Sequence, residues 1–229
     1  MKIKTWGGIW EEKIKAQDEV GVIHGTNSNM TKVLKQLKSD MKFISSWALP
    51  LVPKNGKILD CGTGPMARYA IEFSKKGYDV TGVDISPTTI KFAKKWAKKA
   101  KKDVKFKEAN LVDLSGIKNK FDLIFCIETF GHIPAHLSIE VLKQFNRKLE
   151  IDGLCLVQFW IDKEKSFMNL FSEFLYFSAL RIKEKFTNVF SVNVSRYTPE
   201  EIMDMCKISG FKILKEKNSC YLLQKIKEI

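Results

Sequence analysis

The 229 residues carry 39 Lys and Arg against 26 Asp and Glu, a formal net charge of +13, in a length that suffices for one domain with a full core. No run of about 18 or more apolar residues occurs, and Met1–Gly8 lacks the continuous apolar stretch of a secretory signal, so a cytoplasmic protein without membrane contact is expected. The five cysteines stand at 61, 126, 155, 206 and 220 with no C-x-x-C spacing, which argues against a disulfide framework and against a zinc site.

In chain order, residues 1–28 read as irregular and carry Trp6, Trp10 and His24. From Asn29 a helical stripe (Val33, Leu34, Leu37, Met41, Ile44) leads to Pro50 and Pro53. The next segment, Lys57-Ile-Leu-Asp-Cys-Gly-Thr-Gly-Pro-Met66, is the most informative in the chain. It reads as a short buried strand that ends on Asp60 and breaks into a glycine turn, with a helical pattern opening at Ala67. A second strand, Tyr78 to Val83, ends on Asp84, where a carboxylate can accept both hydroxyls of a ribose lying across the strand ends. These elements make a nucleoside-binding βαβ unit. Gly62-Thr-Gly64-Pro-Met-Ala67 fits the dinucleotide pattern G-x-G-x-x-A, which keeps a dehydrogenase reading open. Asp60 argues the other way, because a carboxylate just before the turn repels a pyrophosphate and suits a ligand with a positive centre and an amino group.

With the segments that follow, the chain resembles the Rossmann-like class I S-adenosylmethionine-dependent methyltransferases, in their small-molecule branch, from about Asn29 to the C-terminus. Lys102–Leu114 resembles the third strand and adenine loop, Lys120–Pro134 the fourth strand and active-site loop, and Asp152–Trp160 the fifth strand. Arg196–Ile202 and Ser209–Leu214 resemble the last helix and the closing strand pair. The resemblance implies an α/β fold, a doubly wound, mostly parallel seven-stranded sheet, with S-adenosyl-L-methionine as cofactor. It implies cofactor contacts from Asp60, Cys61, Gly62, Thr63, Gly64, Asp84, Ile85, Asn110, Leu111 and Ile127. Asn110 stands where the family usually has an aspartate, and its carbonyl oxygen can accept the same bond. Met66 stands where the family has its third turn glycine, which bears on the methionine pocket.

Methyl transfer from a sulfonium chiefly demands alignment and exclusion of water, and a base only when the nucleophile carries a proton. His132 is the candidate base, with Glu128 beside it; His24, His136 and Arg196 are secondary candidates with structural alternatives. No metal ligand set is indicated. The place after the fourth strand reads Cys126-Ile-Glu-Thr-Phe, unlike the Asn/Asp-Pro-Pro-aromatic box of amino methylation, and Cys126 follows Phe125 rather than a proline.

The sequence divides into an N-terminal helical segment (1–50), a cofactor core (51–160), an insert (161–195) and a C-terminal helix with closing strands (196–229). In the insert, Ser166–Phe186 spreads its apolar residues over more than half of a helical circumference. Either a further core helix or dimer contact, or a cap over the acceptor pocket, is expected there. Nine lysines lie between Lys91 and Lys107, and five of them, Lys91, Lys94, Lys95, Lys98 and Lys99, fill the face of a helix opposite Ile90, Phe92, Ala93, Trp96, Ala97 and Ala100. Arginine appears only at 68, 147, 181 and 196, so a solvated face is favoured over a nucleic-acid surface. A small-molecule acceptor and a monomer or homodimer are therefore expected. RNA or protein methylation, and a non-catalytic binding protein of the same fold, are the alternatives.

Overall fold

The apolar runs around 58 and 124 become neighbouring central strands because each is buried on both faces, as parallel strands covered by helices must be. The computed structural model describes residues 6–19, 30–162 and 194–229. His24 and the aromatic stretch Ser166–Phe186 lie outside the described residues. Seven strands form one sheet: β1 Lys57–Cys61, β2 Asp79–Asp84, β3 Lys105–Glu108, β4 Phe121–Cys126, β5 Leu149–Gln158, β6 Phe211–Lys217 and β7 Cys220–Lys225. Their order is β3-β2-β1-β4-β5-β7-β6, with β7 antiparallel to both β5 and β6. The remaining pairs are parallel. The expected mostly parallel, doubly wound sheet is the observed one.

Six α-helices are described: α1 Trp6–Glu19, α2 Met30–Trp47, α3 Arg68–Lys75, α4 Pro87–Lys99, α5 Ser138–Lys148 and α6 Pro199–Ile208. Two cores line the two faces of the sheet. One joins Leu59, Val83, Ile124 and Val157 to α5 and α6 through Leu142, Phe145 and Ile202. The other joins Ile58, Leu123, Phe125 and Leu156 to α2, α3 and α4 through Ile44, Phe73 and Ala93. Tyr69 of α3 donates its hydroxyl to Asp40 of α2 at 2.8 Å, which ties α2 to that layer. The start of α6 is set by a capping box, Thr198 accepting from the Glu201 N–H and Glu201 from the Thr198 N–H. Among the described residues no helix is long and apolar enough to cross a membrane.

Two boundaries and one buried position depart from the sequence reading. Residues 1–28 are not irregular throughout, since Trp6–Glu19 is helical. Gly7 and Gly8 weaken local propensity there, and the helix holds because Ile14 packs against Phe92 of α4. Helix α3 opens at Arg68, one residue late, because Ala67 sits in the left-handed region (φ 45°) as its N-cap. Leu34, placed on the buried stripe of α2, is 54% exposed, while Met41 and Ile44 of the same stripe are buried.

Candidate active site

Strands β1, β2 and β4 are parallel, so the residues following them meet at one edge of the sheet. There a cavity of about 270 Å³ is lined by Gly62, Gly64 and Pro65 after β1, by Asp84 and Ile85 at the end of β2, and by Thr89 in the first turn of α4. Leu111, Glu128, Thr129 and His132 complete its floor, and Trp10, Lys13 and Ile14 of α1 close over it. Gly62 is required twice. Its φ of 75° belongs to the left-handed region, and a Cβ there would stand 2.3 Å from the Thr129 side chain.

The carboxylates are held in place by the backbone. Asp84 accepts from the Ser86 N–H at 3.1 Å and from the Gly64 N–H at 3.3 Å. Burial raises its pKa to about 6, against the pull of the Ser86 and Gly64 N–H groups. Asp60 lies beneath the glycine turn and accepts from the Thr63 hydroxyl at 2.7 Å. Burial raises its pKa to about 7, opposed by the Thr63 bond and by Arg68 and assisted by Asp84.

Both acids therefore keep protons in the folded state that the unfolded chain releases near the ordinary carboxylate value. Their contribution to stability is complete below that value and is lost as pH rises through about 6 and 7. Asp60→Asn mimics the protonated acid. The ligand-free variant should match the parent's melting temperature near pH ~3 and exceed it by a growing margin up to pH ~8. A parallel pH dependence of the two proteins, measured by calorimetry, would contradict the shift.

Glu128 adopts φ 58°, uncommon for a residue with a side chain. It is fixed there by its N–H donating to Gln158 Oε1 at 3.0 Å and by an ion pair of its carboxylate with Arg68. His132 stands edge-on between two indoles, 4.9 Å from the Trp10 ring and 4.7 Å from the Trp160 ring. Gly131 makes the second contact feasible, since a Cβ there would lie 2.4 Å from the Trp160 ring.

Helix α1 is fastened by a carboxylate. Glu11 accepts from the Ser86 hydroxyl at 2.6 Å, the Thr88 N–H at 3.2 Å and the Thr88 hydroxyl, at the positive end of α4. Burial alone pushes its pKa up, and the bonds from Ser86 and Thr88 outweigh this and lower it. Glu11→Ala should loosen α1 first. Hydrogen exchange should speed in Trp6–Glu19 while strand β1 keeps its protection; unchanged α1 protection would show that the contact does not hold the helix.

Residues 58–153 match the methyltransferase domain family. A ribosomal protein L11 methyltransferase of Dictyoglomus turgidum is 26% identical over 78% of this chain and 54% of its own. A ubiquinone biosynthesis O-methyltransferase of Actinobacillus pleuropneumoniae is 25% identical over 68% of this chain and 65% of its own. The crystal structure of magnesium protoporphyrin IX methyltransferase from Synechocystis with bound S-adenosylmethionine superposes with a TM-score of 0.68 at 14% identity, over 98% of both chains. Residues 58–153 thus carry a methyltransferase domain, on the fold of the class I S-adenosylmethionine-dependent methyltransferases. It spans about half the length of the first curated relatives it matches, 45%, 45% and 54%.

Within this methyltransferase domain, Gly62, Gly64, Asp84, Ile85 and Leu111 line the cavity together with Glu128 and His132. Asp60 and Thr63 form the hydrogen-bonded layer under the turn. Cys61 is buried in the sheet core and presents no thiol to the cavity, and Ile127 packs against the opposite core. Asn110 is exposed and turns its carbonyl oxygen onto the Val112 N–H at 3.2 Å. Met66 is half-buried and does not line the cavity. His136 sits in the short turn Ala135–Leu137 that precedes α5, and Arg196 is exposed.

The cavity is also lined by residues that the sequence reading did not assign to the site: Trp10, Lys13 and Ile14 of α1, the helix that Glu11 anchors to Ser86 and Thr88. The i, i+3, i+4 spacing of Trp10, Lys13 and Ile14 was the available signal for a helix face turned inward.

Proposed function

We propose that this protein transfers a methyl group from S-adenosylmethionine to an O, N or S nucleophile of a small molecule. One observation carries the reading: a single cavity joins the ribose position at Asp84 to Glu128, Thr129 and His132, and α1 closes over it. The residues present suit that cofactor. Asp84 is suited to the ribose hydroxyls, Ile85 and Leu111 give apolar surface for a base, and Asp60, buried beneath the turn with its pKa raised to about 7, becomes the negative charge for an ammonium and a sulfonium when their arrival displaces its proton. When bound, the cofactor supplies an electrophilic methyl: the nucleophile's bond to carbon forms as the carbon–sulfur bond breaks, and that electron pair stays on sulfur as a thioether.

The chain's own part is alignment, exclusion of water and movement of a proton. His132, held edge-on between Trp10 and Trp160, receives the proton of an O–H or N–H nucleophile. Glu128, tied to Arg68, keeps the neighbouring wall fixed. The relatives act on acceptors as different as a ribosomal protein and magnesium protoporphyrin IX, so the acceptor must come from this chain's own residues.

One observation favours an RNA acceptor instead. Lys94, Lys98, Lys101 and Lys102 line a second surface hollow on α4 and the turn after it, apart from the cavity. Calorimetric binding of S-adenosylhomocysteine, followed by a salt titration of tRNA binding, separates the readings. Cofactor binding with weak or salt-insensitive tRNA binding supports the small-molecule acceptor. Tight tRNA binding that falls steeply with salt supports RNA. Absence of S-adenosylhomocysteine binding leaves a non-catalytic protein of this fold.

A further inference from the structure

Helix α1 divides its side chains between two tasks. Glu11 and Ile14 bind α4, through Ser86 and Thr88 and through Phe92 respectively. Trp10 and Lys13, one turn apart, face the cavity. The Lys13 ammonium stands 4.5 Å above the Trp10 ring, and that ring reaches the edge of His132 at 4.9 Å. Burial lowers the Lys13 pKa, so part of its hydration has been taken away. Among the described residues no carboxylate pairs with it: Glu11 is engaged with Ser86, Thr88 and Lys15, and Glu128 with Arg68. A π face attracts a cation but does not neutralise it. An ammonium in this position is balanced when an anion enters the cavity beside it.

We infer that the methyl acceptor is a small carboxylate with an apolar body, its carboxylate held by Lys13, its body against Trp10 and its nucleophile turned toward His132. This rests on the methyltransferase reading and gives the acceptor its chemical class. Lys13 is then a specificity-determining residue: it touches the acceptor and takes no proton in the reaction. The Trp10 indole serves both sides, as a wall for the acceptor's apolar portion and as the surface that holds the ammonium in place when the site is empty.

The test uses the full chain saturated with S-adenosylhomocysteine, with binding followed by tryptophan fluorescence. Matched pairs of small aliphatic and aromatic carboxylates and their neutral amides are the probes, benzoate with benzamide among them. In the parent protein the acid members should bind about tenfold or more better than their amides, the scale of one charge-assisted hydrogen bond. Lys13→Met, which keeps the stem over Trp10, should abolish that preference, and Lys13→Arg should keep it. S-adenosylhomocysteine affinity should change little in either variant.

No preference for acids in the parent, or an equal preference in Lys13→Met, overturns the inference. So does a second pattern: Lys13→Met weakening S-adenosylhomocysteine while sparing 5′-methylthioadenosine, which lacks the amino-acid carboxylate. Lys13 would then serve the cofactor. Failure of the parent to bind S-adenosylhomocysteine at all is a different result, and defeats the methyltransferase reading itself.

Discussion

Asp84→Ala will weaken S-adenosylhomocysteine binding by about 1.5–3 kcal/mol, roughly tenfold to a hundredfold, as expected for removing a charged hydrogen-bond acceptor. Asp84 ends β2, lines the cavity, and is pinned by the N–H groups of Ser86 and Gly64. The substitution deletes the ribose acceptor and also leaves those two N–H groups without their partner. Asp84→Asn should cost less, because one oxygen remains to accept. Because burial raises the Asp84 pKa to about 6, the parent's affinity should fall as pH drops through that value, whereas the Asn variant should lack this step. Titration calorimetry at several pH values checks both parts. Equal affinity for parent and Ala variant would mean that the ribose does not rest on β2.

Gly62→Ala should be the more damaging change. The added methyl would sit 2.3 Å from Thr129 in a backbone conformation, φ 75°, that L side chains rarely adopt. Strain and overpacking together should cost about 2–4 kcal/mol of stability. The loop from Glu128 to His132 must shift to relieve the clash, so binding at the cavity should suffer in the folded fraction as well. The double substitution Gly62→Ala with Thr129→Ala separates the causes. Truncating Thr129 removes its hydroxyl and methyl but leaves φ unchanged, so part of the stability should return. Full recovery would assign the whole cost to those two groups, and none would leave it with the backbone and with the Thr129 Cβ, 2.8 Å from the added methyl.

The sheet was legible because its information is local. Lys57–Cys61 and Phe121–Cys126 are apolar runs with turn residues after them, and buried parallel strands need little else. Asp84 could be placed because one strand, one turn and the start of α4 follow each other in sequence. Helix α1 could not be placed in the same way. Glu11 meets Ser86 and Thr88 across 75 and 77 residues, and nothing near Glu11 announces those partners. Its own sequence opens with Gly7 and Gly8, so propensity argues against a helix that tertiary contact secures. The role expected of Cys61 rested on its neighbours in the motif, whereas strand alternation turns its side chain into the core.

The residues that match the methyltransferase domain family begin at 58, yet Trp10, Lys13 and Ile14 come from before that boundary. The site is thus assembled from two stretches of chain, a floor within the matched residues and a roof of one helix outside them. The roof meets the floor through Glu11, Ser86 and Thr88, so if Lys13 selects the acceptor, that choice is made by a helix that leaves the carboxylates of the floor untouched. Transplanting residues 1–50 onto a related core that retains the Ser86-Pro-Thr88 corner would move the preference with them. Comparisons keyed to the core alone would see no difference between the two proteins.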